Sequence, residues 1–231
     1  MTSMMSPSPA GQIIPANDAL LLQTLARDHS SGPGIDLALE RLAALLADGA
    51  NPSAALPAQE TKEDAGVSAL HLAAREQREH PAFTALLLAH GANVHARDHK
   101  GNTPLLLACL ENAEAVCALL IGRGARLDAR NHLGTGPLPL MLHRLDADGL
   151  YRLVQAMDGE QLRCAAEEAA ALQAKLNTQN TRLRFLAGVG GVDNTEHNCA
   201  MTISMVQSRQ AALAIEALTG PATPGPGRAS P

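Results

Sequence analysis

The stretch "KGNTPLLLACLENAEAVCALLIGRGARLDARNH", residues 100–132, decides the fold. It holds two short apolar helical segments, near 104–110 and 113–121. Neither is long enough to be stable alone in water. A Thr-Pro pair opens the first. Thr103 is placed to cap the helix through its hydroxyl, and Pro104 takes the first helical position, where its missing N–H costs nothing. Asn112 stands at the turn between the segments and tolerates a left-handed backbone. Gly124 follows the second segment, where the absence of Cβ lets the chain close the helix. A unit this thin can bury its apolar face only against another unit of the same kind.

Copies lie on both sides. Gly66, Gly101 and Gly134 are spaced 35 and 33 residues apart, and Gly91 and Gly124 are 33 apart. "GVSALHLAAREQREHPAFTALLLAHGANVHARDH", from Gly66, predicts helices near 69–76 and 81–89. Downstream, "GTGPLPLMLHRLDADGLYRLVQAMDG" repeats the plan from Gly134 in weaker form. Upstream, "IDLALERLAALLADGA" ends in a glycine at Gly49, and Asn17 or Asp18 is positioned to cap a helix through "ALLLQTLARDH". Units of this period stack side by side and share one continuous core.

Residues 101–132 resemble an ankyrin repeat, whose pattern runs G-x-T-P-L-H-x-A, a turn, V-x-x-L-L, then G-A. Gly101, Thr103, Pro104, Leu105 and Ala108 match its first helix, and Val116, Leu119, Leu120, Gly124 and Ala125 its second; Leu106 replaces the usual histidine. In the preceding copy Gly66, Leu70, His71, Ala73, Leu86, Leu87, Gly91, Ala92 and Asn93 match, with two extra residues in "REQREH". The resemblance covers 17–158, as units at 17–50, 66–97, 101–130 and 134–158. It implies an all-α, ankyrin-like helical solenoid with short hairpin loops, followed by a helical C-terminal extension. It also implies that His71 ties neighbouring loops by hydrogen bonding. Leu105, Leu107, Val116, Leu119 and Leu120 are the expected core of the third unit.

In such arrays the loop tips and first-helix surface make the contacts, which directs attention to 93–102 and 126–135. His95, Arg97, Asp98, His99 and Lys100 populate one tip, and Arg126, Asp128, Arg130, Asn131 and His132 the next. Arginine suits a partner surface because it binds in bidentate fashion and keeps an apolar stem. The competing expectation is an ordinary solvated turn in which Asp98 and Asn131 bond their own backbones. His95, His99 and His132 lack a cysteine or carboxylate framework at metal-ligand spacing, so no metal is assigned.

Composition narrows the function classes. The 231 residues are 46% hydrophobic, enough for a sizeable core, yet Phe83, Tyr151 and Phe185 are the only aromatics. Such a chain packs thin Leu and Ala layers. A formal charge of −5 gives no basic field for nonspecific nucleic-acid binding. Cys109, Cys117, Cys164 and Cys199 follow neither a metal-knuckle nor a disulfide-scaffold spacing and are expected to be reduced, mostly buried small hydrophobes. Apolar runs fall far short of the roughly 20 residues of a membrane span, and the opening "MTSMMSPSPAGQIIPAN" has no secretory pattern. A cytoplasmic protein is expected, with secretion as an effector the alternative.

The C-terminal third reads differently. Positions 162, 165, 169, 172, 176, 179, 183 and 186 form a heptad seam of Leu, Ala and one Gln along a helix over 160–186. It is expected to pack within the chain, with self-association as the alternative. "GVGGVDN", 188–194, lacks the Lys-Ser/Thr ending of a phosphate loop and reads as a linker. A last helix is expected over 196–218; His197 and Cys199, two residues apart, do not face each other as a catalytic pair. The expected organisation is thus a disordered 1–16, the array at 17–158, a helical region at 160–218 and a disordered tail at 219–231. The function expected is a noncatalytic protein-binding module without cofactor, its partner unidentified. A self-associating structural protein and an enzyme with accessory repeats are the alternatives.

Overall fold

The computed structural model describes residues 15–26, 34–56, 65–76, 80–145, 147–187 and 194–219, with side chains except at 144, 176–187, 194–197 and 215–219. The expected disordered ends and the 188–194 linker lie outside the described residues apart from their inner margins, as do the seam side chains from 176 onward. The described residues form ten helices and no strand. They are α1 (Ala16–Leu25), α2 (Gly34–Ala47), α3 (Ala69–Glu76), α4 (Pro81–Ala89), α5 (Pro104–Leu110), α6 (Glu114–Gly122), α7 (Pro137–Arg144), α8 (Ala147–Ala156), α9 (Gly159–Ala187) and α10 (Asn194–Thr219).

Three helical hairpins, α1–α2, α3–α4 and α5–α6, stack in register. The first helices α1, α3 and α5 pack in one row and the second helices α2, α4 and α6 in another. The architecture is all-α and solenoidal, as the repeat pattern predicts. Each second helix ends the same way. After α2, α4 and α6 a glycine with φ near +85 (Gly49 +87, Gly91 +84, Gly124 +82) is followed by a buried alanine. The alanine N–H bonds a carbonyl five residues back (Ala50 to Leu45, Ala92 to Leu87, Ala125 to Leu120, each 3.0 Å). This closure satisfies carbonyls the helix leaves open, which is the physical content of the repeated Gly-Ala pair. Asn112, at φ 59, closes α5 by the same scheme, with Ala113 N–H donating to Ala108 O at 2.9 Å.

Two sequence expectations need correction. Neither Asn17 nor Asp18 caps α1: the helix starts at Ala16 behind Pro15, without a side-chain cap. Asp18 is buried and accepts the Asn51 N–H at 2.7 Å, pinning the loop after α2 to α1. In the third unit Leu105, Val116 and Leu120 are fully buried, but Leu107 and Leu119 are only half-buried. On α6 the inward face is Val116, Cys117, Leu120 and Ile121, and the helical period turns Leu119 to its edge.

The chain divides into two compact units, Met1–Leu140 and Met141–Pro231, with the boundary inside α7. In the second, α10 packs on α8 and α9. Asp158 and Gln161 form a reciprocal capping box at the start of α9: each side chain accepts the other's backbone N–H, at 2.8 and 2.9 Å. Leu162, Ala165 and Ala169 of the seam are fully buried. The Asn198 amide donates to Leu142 O and Leu145 O, at 2.8 and 3.1 Å, occupying carbonyls at the end of α7.

Candidate functional site

The tips at 93–102 and 126–135 are built by one hydrogen-bonding scheme repeated 33 residues on. Asp98 Oδ1 accepts the N–H groups of Lys100 and Asn102, at 2.9 and 2.8 Å. Asn131 Oδ1 accepts those of Leu133 and Thr135, at 3.0 and 2.9 Å. Asp98 N–H donates to Asn102 O and Asn131 N–H to Thr135 O, both at 3.0 Å. A short polar side chain at this position folds the tip on itself. Asp98 is also buried and takes the Asn102 amide on its second oxygen at 2.8 Å, so its carboxylate is spent inside the turn.

Adjacent tips are laced together. His99 N–H donates to Ala65 O and His132 N–H to Lys100 O, both at 2.9 Å. The Asn131 amide reaches Asn102 Oδ1 at 3.0 Å. Arg97 Nη1 donates to Arg130 O at 2.8 Å and to Gly101 O at 3.4 Å. Close approach leaves no room at Gly101: with φ at +76, a Cβ there would stand 2.8 Å from the His132 ring.

His71 works from below the same loops. It is fully buried, and its Nε2 donates to Asn102 O at 2.9 Å. The carbonyl can only accept, so the ring is the neutral tautomer with its proton on Nε2. Nδ1 then accepts from Ser68, whose Oγ lies at 2.7 Å and N at 3.2 Å. Burial holds its pKa below the ordinary value of 6.5, against the Asn102 carbonyl and the Asp98 charge, which both favour the proton. The third unit has no histidine here; Leu106 fills the place and is buried.

Between the two tips lies an open cleft of about 350 Å³. Val94, His95, Arg97 and Thr103 form one side; Ala125, Arg126 and Ala129 form the other. His95, Arg97, Lys100, Arg126, Asp128, Arg130 and His132 are exposed, His99 and Asn131 are half-buried, and Asp98 is withdrawn. Thr103, besides lining the cleft, caps α5 through Oγ1, 3.3 Å from Leu106 N. Arg126 grips Asp128 with Nε and Nη2, at 3.0 and 2.7 Å, and this hydrogen bonding chiefly pulls the Asp128 carboxyl below its usual range.

One residue at the tips escaped sequence reasoning. Leu133 is 89% exposed, far more than the other leucines of the array's loops. Its place at the summit of the turn, two after Asn131, was the available signal, because the Asx turn projects that residue outward. Among the described residues no three His, Cys, Asp or Glu side chains converge as metal ligands, and no helix is long and apolar enough to cross a membrane.

Comparison with known proteins gives one positive finding. The family model described as ankyrin repeats, in three copies, matches residues 38–131, which include the tip at 93–102 and the first part of the tip at 126–135. No curated protein matches the chain.

Proposed function

We propose that this chain, an ankyrin-repeat protein over residues 38–131, is a noncatalytic protein-binding module whose contact face is the pair of tips at 93–102 and 126–135 with the cleft between them. Ankyrin repeats generally mediate protein–protein interaction. The observation that carries the assignment to these tips is their construction. Backbone hydrogen bonds, the Asn131–Asn102 contact and the Arg97–Arg130 contact fix both turns, while Lys100, Arg130, His132 and Leu133 stay exposed. A face already rigid loses little conformational entropy when it binds. The domain assignment that accompanies this reading keeps 17–158 as the array and 160–218 as its helical extension.

The contact residues proposed are His95, Arg97, His99, Lys100, Arg126, Arg130, His132 and Leu133. Asp98 and Asn131 shape the tips and are left out of the contact set, since their side-chain oxygens serve their own turns, and Asp128 is left out because Arg126 holds its carboxylate. Affinity capture from native lysate, comparing wild type with Arg97→Ala/Lys100→Ala/Arg130→Ala after circular dichroism shows both folded, tests the reading. A bound protein lost only by the variant is the expected result. Equal capture by both would move the contact face away from the tips.

A further inference from the structure

We propose that the tip face selects an acidic, extended segment of its partner, one that sets a carboxylate beside an apolar side chain. This rests on the tips being the contact face. The two tips carry four cations, Arg97, Lys100, Arg126 and Arg130, against two carboxylates, in a chain whose formal net charge is −5. Both carboxylates are occupied at home. Asp98 is buried and accepts three N–H groups within its own turn. Asp128 is held by Nε and Nη2 of Arg126. The tips are therefore a locally positive ridge on an otherwise acidic molecule, and that contrast steers acidic segments toward them.

Arg97 sharpens the preference. It donates to two backbone carbonyls, Arg130 O and Gly101 O, which orient the guanidinium without neutralising it. Its remaining N–H groups sit at the cleft wall, where a carboxylate can accept two of them in parallel. On the second tip Leu133, 89% exposed, supplies the apolar element of the same ridge. An incoming carboxylate would add charge-assisted hydrogen bonds to an arginine already held in place, and a neighbouring apolar side chain would cover Leu133. A wholly basic segment offers Arg97 no carboxylate and repels the ridge, and a wholly apolar one covers Leu133 but leaves Arg97 without its carboxylate.

The test pans a phage library of random dodecapeptides against the full chain and measures the enriched peptides, synthesised with a fluorescein label, by anisotropy. Enriched sequences are expected to combine Asp or Glu with a large aliphatic residue. Lys100→Glu/Arg130→Glu is expected to weaken them at least about tenfold, and Arg97→Gln, which keeps a donor for the Arg130 carbonyl, to weaken them as well. A peptide with its acids changed to lysine is expected to bind the reversed variant better than wild type. Enriched peptides that lose binding on the variants but carry no acids would leave the tips as the contact face and overturn the acidic preference. Acidic peptides that bind all variants equally would overturn the site. No enrichment at all would overturn both. A labelled single-stranded RNA that binds wild type and is lost from the variants would reassign the ridge to phosphate and overturn a protein segment as its occupant.

Discussion

His71 and two left-handed positions carry the most specific consequences at the scale of single residues. His71 is neutral in the fold, with Nδ1 accepting from Ser68 and Nε2 donating to Asn102 O. A second proton would turn Nδ1 toward the Ser68 N–H as a donor facing a donor. Burial lowers its pKa below 6.5, so on acidification the unfolded chain takes up this proton before the folded chain does. Its contribution to stability is therefore complete above 6.5, declines as pH falls from there, and stops declining below the folded value. Urea midpoints measured across pH should fall more steeply for wild type than for His71→Gln; superimposable profiles would place the acid sensitivity elsewhere. At Asn112, exposed with φ 59, alanine removes little but left-handed tolerance and is expected to cost about 1 kcal/mol. Gly101→Ala meets the same backbone strain and also the His132 ring, so it should cost more than the roughly 1–2 kcal/mol of strain alone. Thermal unfolding of the two variants side by side checks the order.

At the scale of elements, each hairpin depends on its neighbours for its core. Leu120 is fully buried on α6, whereas Leu119 sits at the edge of the same face. Leu120→Ala is expected to destabilise by about 2–5 kcal/mol, and Leu119→Ala by clearly less. Equal losses in urea titrations would contradict the face seen on α6. The Thr103 cap predicts a further loss of about 0.5–2 kcal/mol for Thr103→Ala, without change in helix register. These elements were legible in the sequence because their signals are local. Thr-Pro starts α5, Gly-Ala ends α2, α4 and α6, and a 33-residue period joins the closures of α4 and α6. The misplaced cap at α1 was not legible, because Asp18 serves Asn51, 33 positions away in the chain and adjacent only once α1 and α2 have packed.

At the scale of the whole molecule, charge and surface cover set the remaining expectations. If the tips bind acidic segments, affinity for the selected peptides should fall steadily as salt rises, since exposed charges are screened within about 10 Å at 0.1 M ionic strength. A salt-independent affinity would point to apolar contact alone. The α9 seam is covered at Leu162, Ala165 and Ala169, so sedimentation equilibrium is expected to give the 24.0 kDa mass at every loading concentration. A mass that climbs with concentration would favour the self-associating alternative.

The sequence by itself determined the repeat, its helices and the match to ankyrin repeats over 38–131, because helix starts, glycine closures and apolar period are set by residues within one turn of each other. It also marked the tips as polar. Only the tertiary structure decided which polar groups there are spent and which are presented: Asp98 and Asn131 fold inward, Arg97 is oriented by a carbonyl 33 residues on, and Leu133 stands in solvent. Those outcomes depend on the spacing of stacked units, a distance that no local pattern encodes.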